Sequence, residues 1–203
     1  MSTLERQKYK LDSGSLLWPC FCLLLFAFCF PFLSGFYPIA RFTEERIDIH
    51  VYQDHIKVEG CYVYKNPFPF PVIQGFSIPF FQDGVHPRPV MVTAKVLSPR
   101  ERPISVYYIL GKHRFELTFS AGEETRIKVQ YRQQAPAKDA YYILTTTKPW
   151  RHPLIQGTYR LMQSGVRVIS SNYLLRPNKE GMLIFQKHNF MPEKDWHFMW
   201  EVV

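Results

Sequence analysis

From Arg41 to the carboxyl terminus apolar residues recur at every second position, the spacing of strands that bury one face and wet the other. "RIDIHVY" puts Ile47, Ile49 and Val51 on one face, "QDH" turns the chain, and "IKVEGCYVY" aligns Ile56, Val58, Tyr62 and Tyr64, which together read as a hairpin. The same period runs through "VIQGFSIPF", "PVMVTAKV", "ISVYYIL", "HRFELTF" and "TRIKVQY", divided by turn clusters such as "QDG", "SPRERP", "LGK" and "SAGEE". "AYYILTTT", "TYRLM", "VRVISS", "MLIFQKH" and "DWHFMWEVV" complete the series. No window after residue 40 keeps a helical apolar period for long. Many short strands without intervening helices predict an all-β fold, most simply an antiparallel two-sheet β-sandwich, with a barrel as the alternative.

Upstream the pattern is different. Residues 16–40, "LLWPCFCLLLFAFCFPFLSGFYPIA", carry no charge, and about 20 such residues in a helix cross a bilayer core. The run predicts one N-terminal transmembrane helix; a cleaved signal sequence is the alternative, for which "LSG" and "PIA" are poor cleavage sites. Arg6, Lys8 and Lys10 precede the span, whereas Arg41 and Arg46 follow it among Glu44, Glu45 and Asp48, a bias that keeps the amino terminus in the cytoplasm. The organisation expected is a cytoplasmic tail over 1–15, a transmembrane anchor or uncleaved signal over 16–40, and an extracytoplasmic β-sandwich domain over 41–203. Membrane lipid is then a partner through the helix. The formal charge of +8 comes with no nucleic-acid-binding signature, so nucleic acid is not an expected partner.

Catalytic and metal-binding patterns are missing from the sequence. Cys20, Cys22 and Cys29 lie in the apolar run and only Cys61 beyond it, in a strand, where a buried inert thiol is expected. No G-x-S-x-G occurs, the seven histidines are scattered, and no glycine-rich loop could cradle a phosphate. Glu44, Glu45, Glu123 and Glu124 read as surface charge flanking strands. We therefore expect no catalytic residue, no cofactor and no metal.

Contact surface is a different matter. In "NPFPFPVIQGFSIPFF" Pro67, Pro69 and Pro71 lack amide hydrogens, so the segment is expected to run extended along an edge or across from one sheet to the other, with Phe68 and Phe70 on one side. These rings either plug an open end of the sandwich, the preferred reading, or contact a partner or the bilayer surface. On β-patterned "TRIKVQYRQ", Arg126, Lys128 and Arg132 share one face with Gln130, either a charged solvent face or a strip for acidic lipid or glycan. "KPWRHPL" sets Trp150 beside Arg151, a cation–π pair or a loop contact.

The run "YYILTTTKPWRHPLIQGTYRL" with "HNFMPEKDWHFMW" resembles the end of a family of uncharacterised bacterial extracytoplasmic all-β proteins, through Tyr142, Ile143, Leu144, Thr145, Thr146, Trp150, Phe190, Pro192 and Asp195. "DHIKVEGCYVYKNPFPFPVIQGFSIPF" is similar to that family's opening hairpin. The resemblance implies a secreted or membrane-tethered β domain and brings no activity with it. The expected function is a non-enzymatic binding or scaffold module, an accessory subunit with a protein partner in an envelope assembly. The alternatives are a direct binder of acidic lipid or polysaccharide through Arg126, Lys128, Arg132 and Arg151, and an envelope hydrolase with a dispersed site.

Overall fold

The computed structural model describes residues 38–203; the expected cytoplasmic tail and most of the expected span lie outside them. Among the described residues no helix is long and apolar enough to cross a membrane. The last positions assigned to the span belong instead to the body, because Ile39 N donates to Gln74 Oε1 at 2.6 Å and Ala40 is buried.

In chain order the strands are β1 (Arg41–Val51), β2 (His55–Lys65), β3 (Val72–Ile78), β4 (Val90–Ser98), β5 (Arg102–Ile104), β6 (Tyr107–Ile109), β7 (Lys112–Phe119) and β8 (Glu124–Gln134). There follow β9 (Asp139–Tyr142), a 3₁₀ turn (Thr145–Trp150), β10 (Leu154–Gln163), β11 (Val166–Ser171), β12 (Arg176–Pro177), β13 (Leu183–Phe190) and β14 (Trp196–Val202). They form an eight-stranded sheet in the order β12-β13-β10-β1-β2-β8-β4-β5 and two three-stranded sheets, β11-β14-β9 and β3-β7-β6. The pairings are antiparallel except that β1 and β10 run parallel, Ile47 facing Tyr159 and Ile49 facing Leu161. Alternating burial says nothing about strand direction, so this pair was not legible as parallel.

The facing layer is split, which is where the structure departs from a simple two-sheet sandwich. One half of the large sheet packs Ile47, Ile49, Val58, Tyr159 and Phe185 against Tyr142, Trp196, Phe198 and Trp200 of β11-β14-β9. The other half packs Phe42, Tyr64, Val96 and Ile127 against Val72, Phe76, Phe115, Leu117 and Phe119 of β3-β7-β6. Tyr62 and Phe190 touch both clusters. Two segments read as single strands are broken accordingly. "ISVYYIL" contributes β5's end to the large sheet and β6 to a small one. "AYYILTTT" stops being strand at Tyr142, where Asp195 Oδ1 accepts bonds from Leu144 N (3.0 Å), Thr145 N (2.9 Å) and Thr145 Oγ1 (2.8 Å) and turns the chain into the 3₁₀ turn.

Candidate functional site

Phe68 and Phe70 do not plug the sandwich. Their rings stack on each other at 5.2 Å and 20°, and they are 38% and 54% exposed. The prolines that keep this segment out of a ladder leave it to be fixed by a side chain, and that side chain is Asn66. Fully buried, Asn66 donates from Nδ2 to Phe70 O and to Ser120 O, each at 2.8 Å, and accepts from Phe68 N at 3.0 Å through Oδ1. Gly122 N adds a bond to Phe68 O at 3.0 Å, which ties the segment to the β7–β8 turn. The backbone that carries these two partly exposed rings is thus held by a buried polar group. Arg41, near the start of the described residues, lies opposite Lys65, the residue before Asn66.

Beyond the pair, the outer face of β3-β7-β6 continues with Ile73, opposite Thr118, and reaches Tyr107 and Ile109, opposite Arg114 and Lys112. All three apolar residues are exposed, as is Leu110 at the hairpin tip, where Leu110 (φ 51°) and Gly111 (φ 77°) turn the chain. Eight residues of β7 separate this tip from the Phe68 end, about 27 Å at strand spacing. The charges between and beside these residues are of both signs: Arg114, Lys112, Glu116, Glu123 and Glu124.

The other singled-out residues are dispersed. Arg126, Lys128 and Arg132 do share the solvent face of the large sheet, but Lys128 Nζ lies 3.0 Å from Glu59 Oε1 and Gln130 donates to Glu59 Oε2 at 2.8 Å, so a carboxylate interrupts the strip. Arg126 borders a cleft with Glu44, Arg46 and Cys61. Trp150 is packed inward, its ring 5.8 Å from Phe42 and 5.2 Å from Tyr64, and Arg151 ends the 3₁₀ turn in a left-handed conformation. Neither belongs to the Phe68–Phe70 surface. Cys61 is a buried free thiol, with Arg46 Nη2 3.6 Å from its Sγ.

Glu45, read from sequence as surface charge, is in the core. Tyr159 donates to its Oε2 at 2.7 Å and Tyr142 to its Oε1 at 3.0 Å. Tyr142 Oη also lies 2.8 Å from Tyr62 Oη; when Glu45 is ionised and takes the Tyr142 proton, Tyr62 is the donor there. Burial pushes the Glu45 carboxyl up to about 7 against the opposing pull of the two tyrosine bonds. Glycine makes the arrangement possible: a Cβ on Gly157 would lie 2.7 Å from Tyr159 Oη, and one on Gly60 would collide with Tyr62. The signal was in the sequence as a repeated Gly-x-Tyr, in "EGCYVY" and "QGTYRL".

A second polar cluster joins the β3–β4 connection to β9 and β14. His86 Nδ1 lies 2.9 Å from Asp83 Oδ1 and its Nε2 lies 3.1 Å from Asp139 Oδ1; Asp139 Oδ2 lies 3.0 Å from His197 Nε2. Tyr141 is stacked between Phe81 and His197, at 4.1 Å from each. Both oxygens of Asp139 are occupied by imidazole rings. The cluster fastens the connection to the body. His50 is exposed on the large sheet and His113 packs against Phe80 and Tyr108, apart from it; burial and the nearby Arg88 cation push the His113 imidazole down. Among the described residues no group of three or more His, Cys, Asp or Glu could hold a metal ion.

No known family and no curated protein matches the sequence. Solved structures similar to the chain include a candidate nutrient-binding protein of Legionella pneumophila, with a TM-score of 0.63 and 13% identity over 82% of this chain and 68% of that one. An M1 zinc metallopeptidase of Deinococcus radiodurans aligns with a TM-score of 0.45 and 11% identity over 79% of this chain; the chain spans only 42% of that enzyme's length. The likeness to the Legionella protein is one of fold.

Proposed function

We propose that this chain is a non-enzymatic binding module, tethered outside the cytoplasmic membrane by a single helix within residues 16–40, and that its β-sandwich body engages a protein subunit of the same membrane through Phe68, Phe70 and the adjoining outer face of β3-β7-β6. The observation that carries the reading is the Phe68–Phe70 stack, held by buried Asn66 while its rings stay in water. Rigid aromatic anchors lose little freedom on binding and dominate interface energetics. Support also comes from the uncharged leader run and from the resemblance of the carboxyl half to extracytoplasmic β proteins. A protein fits this face better than anionic lipid, because its charges are of both signs, Lys65 standing opposite Glu124, and offer acidic headgroups no one-sided attraction.

Direct capture of acidic lipid or glycan by Arg126, Lys128, Arg132 and Arg151 is the weaker reading, because Lys128 is paired with Glu59 and Arg151 lies on another element. The test is a photo-reactive phenylalanine analogue at position 70 in the full chain in membranes. A discrete adduct with one membrane protein is expected; adducts with lipid alone would overturn the protein-partner assignment.

A further inference from the structure

The large sheet ends in a strand that is only partly covered. β13 pairs along its length with β10, from Leu183 opposite Leu161 to Phe190 opposite Leu154. On its other side it has only β12, which pairs Pro177 with Leu183 and Arg176 with Ile184 and goes no further. From Phe185 onward the strand is therefore a sheet edge, and alternate residues aim their N–H and C=O groups away from β10 with no backbone partner among the described residues. At Asn189 the backbone turns left-handed (φ 48°), which limits the regular edge to residues 185–188.

A cleft of about 530 Å³ lies along this edge. Phe185, Gln186 and Lys187 line it on the strand side, and Leu174, Arg176 and Pro177 on the other. Its lining carries two cations, Arg176 and Lys187, and no carboxylate; both cations are exposed and neither has an ion-pair partner among the described residues. Leu174 is 77% exposed above it.

We propose that this cleft receives an extended, acidic segment of a partner protein, which adds as a strand to residues 185–188. The free ladder positions match a peptide backbone, as in other complexes made by strand addition. Arg176, opposite Ile184, and Lys187, on the same face as Phe185, stand on opposite faces of the sheet; they select carboxylates at neighbouring positions of that segment, one on each of its faces, and Leu174 covers an apolar side chain. A second copy of this chain is a poor occupant, since meeting edge to edge would set Arg176 and Lys187 against their own kind. The site stands apart from the Phe68–Phe70 surface and does not depend on it.

The experiment uses the full chain in detergent micelles and a fluorescein-labelled Glu/Val octapeptide, Glu-Glu-Val-Val repeated twice with blocked ends, which carries carboxylates on both faces of an extended strand. The expected result is saturable binding, at least tenfold tighter than that of a Lys/Val counterpart and of a Glu/Val peptide N-methylated at alternate amides. Arg176→Glu with Lys187→Glu should weaken binding at least tenfold at unchanged Tm. Amide exchange should slow on saturation within residues 185–188. No binding at millimolar peptide, equal binding of the N-methylated peptide, protection elsewhere, or a dimer dissolved by the two charge reversals would each overturn the proposal.

Discussion

Glu45→Gln should stabilise the protein at pH 8 by about 3 kcal/mol and leave it nearly unchanged at pH 4.5, as read by urea denaturation of the full chain in detergent. The buried carboxyl holds its proton up to about pH 7, against an ordinary value of 4.5, and that difference is worth about 3 kcal/mol. Because the folded group binds its proton more tightly than the unfolded one, its contribution is complete below about pH 4.5. It is lost as pH rises through about 7, when the native state must carry an anion in the core. Glutamine occupies nearly the same volume, accepts a bond from Tyr159 or Tyr142, and has nothing to ionise. The pH dependence of stability between these limits should therefore flatten in the variant. An unchanged pH profile would show that Glu45 ionises in the native protein as it does in water.

Asn66→Ala should cost about 3 kcal/mol, through the loss of two donors to Phe70 O and Ser120 O and one acceptor for Phe68 N. Asn66→Asp keeps the acceptor and, at low pH where the carboxyl is neutral, replaces the two donated bonds by one, so there it should fall between alanine and the wild type in stability. Both variants should also reduce adduct formation from position 70, because the rings lose the fixed geometry that makes them anchors. Stability within about 0.5 kcal/mol of wild type would mean that proline stiffness alone holds the segment.

Much of the fold was legible because the core is built on period-two burial. Ile47, Ile49, Val51, Phe115, Leu117, Phe119, Ile127 and Val129 are all buried on the faces that the alternation assigns. The splitting of the facing layer was not legible, since it depends on which strands pair across long separations, as β9 does with β14. Glu45 was misjudged because strand periodicity places residues on a face without saying whether the face has tyrosines to receive a carboxyl. Its alternation with Ile47 in fact put it inside. For Phe68 and Phe70, composition suggested a plug; the outcome turned on Asn66, whose amide does for this segment what a sheet ladder does elsewhere. The basic strip on β8 was correctly placed on one face, yet the neutralising Glu59 comes from β2 and is invisible in the linear run.

Recovery of the native membrane complex by affinity capture of the full chain, compared between wild type and Phe68→Ser/Phe70→Ser, tests the central claim most directly. Serine at these exposed positions leaves the two buried clusters intact, so the variant should keep its stability while the co-purifying membrane subunit falls at least tenfold. A subunit recovered equally with both proteins, or a wild-type chain that always purifies alone, would contradict the account.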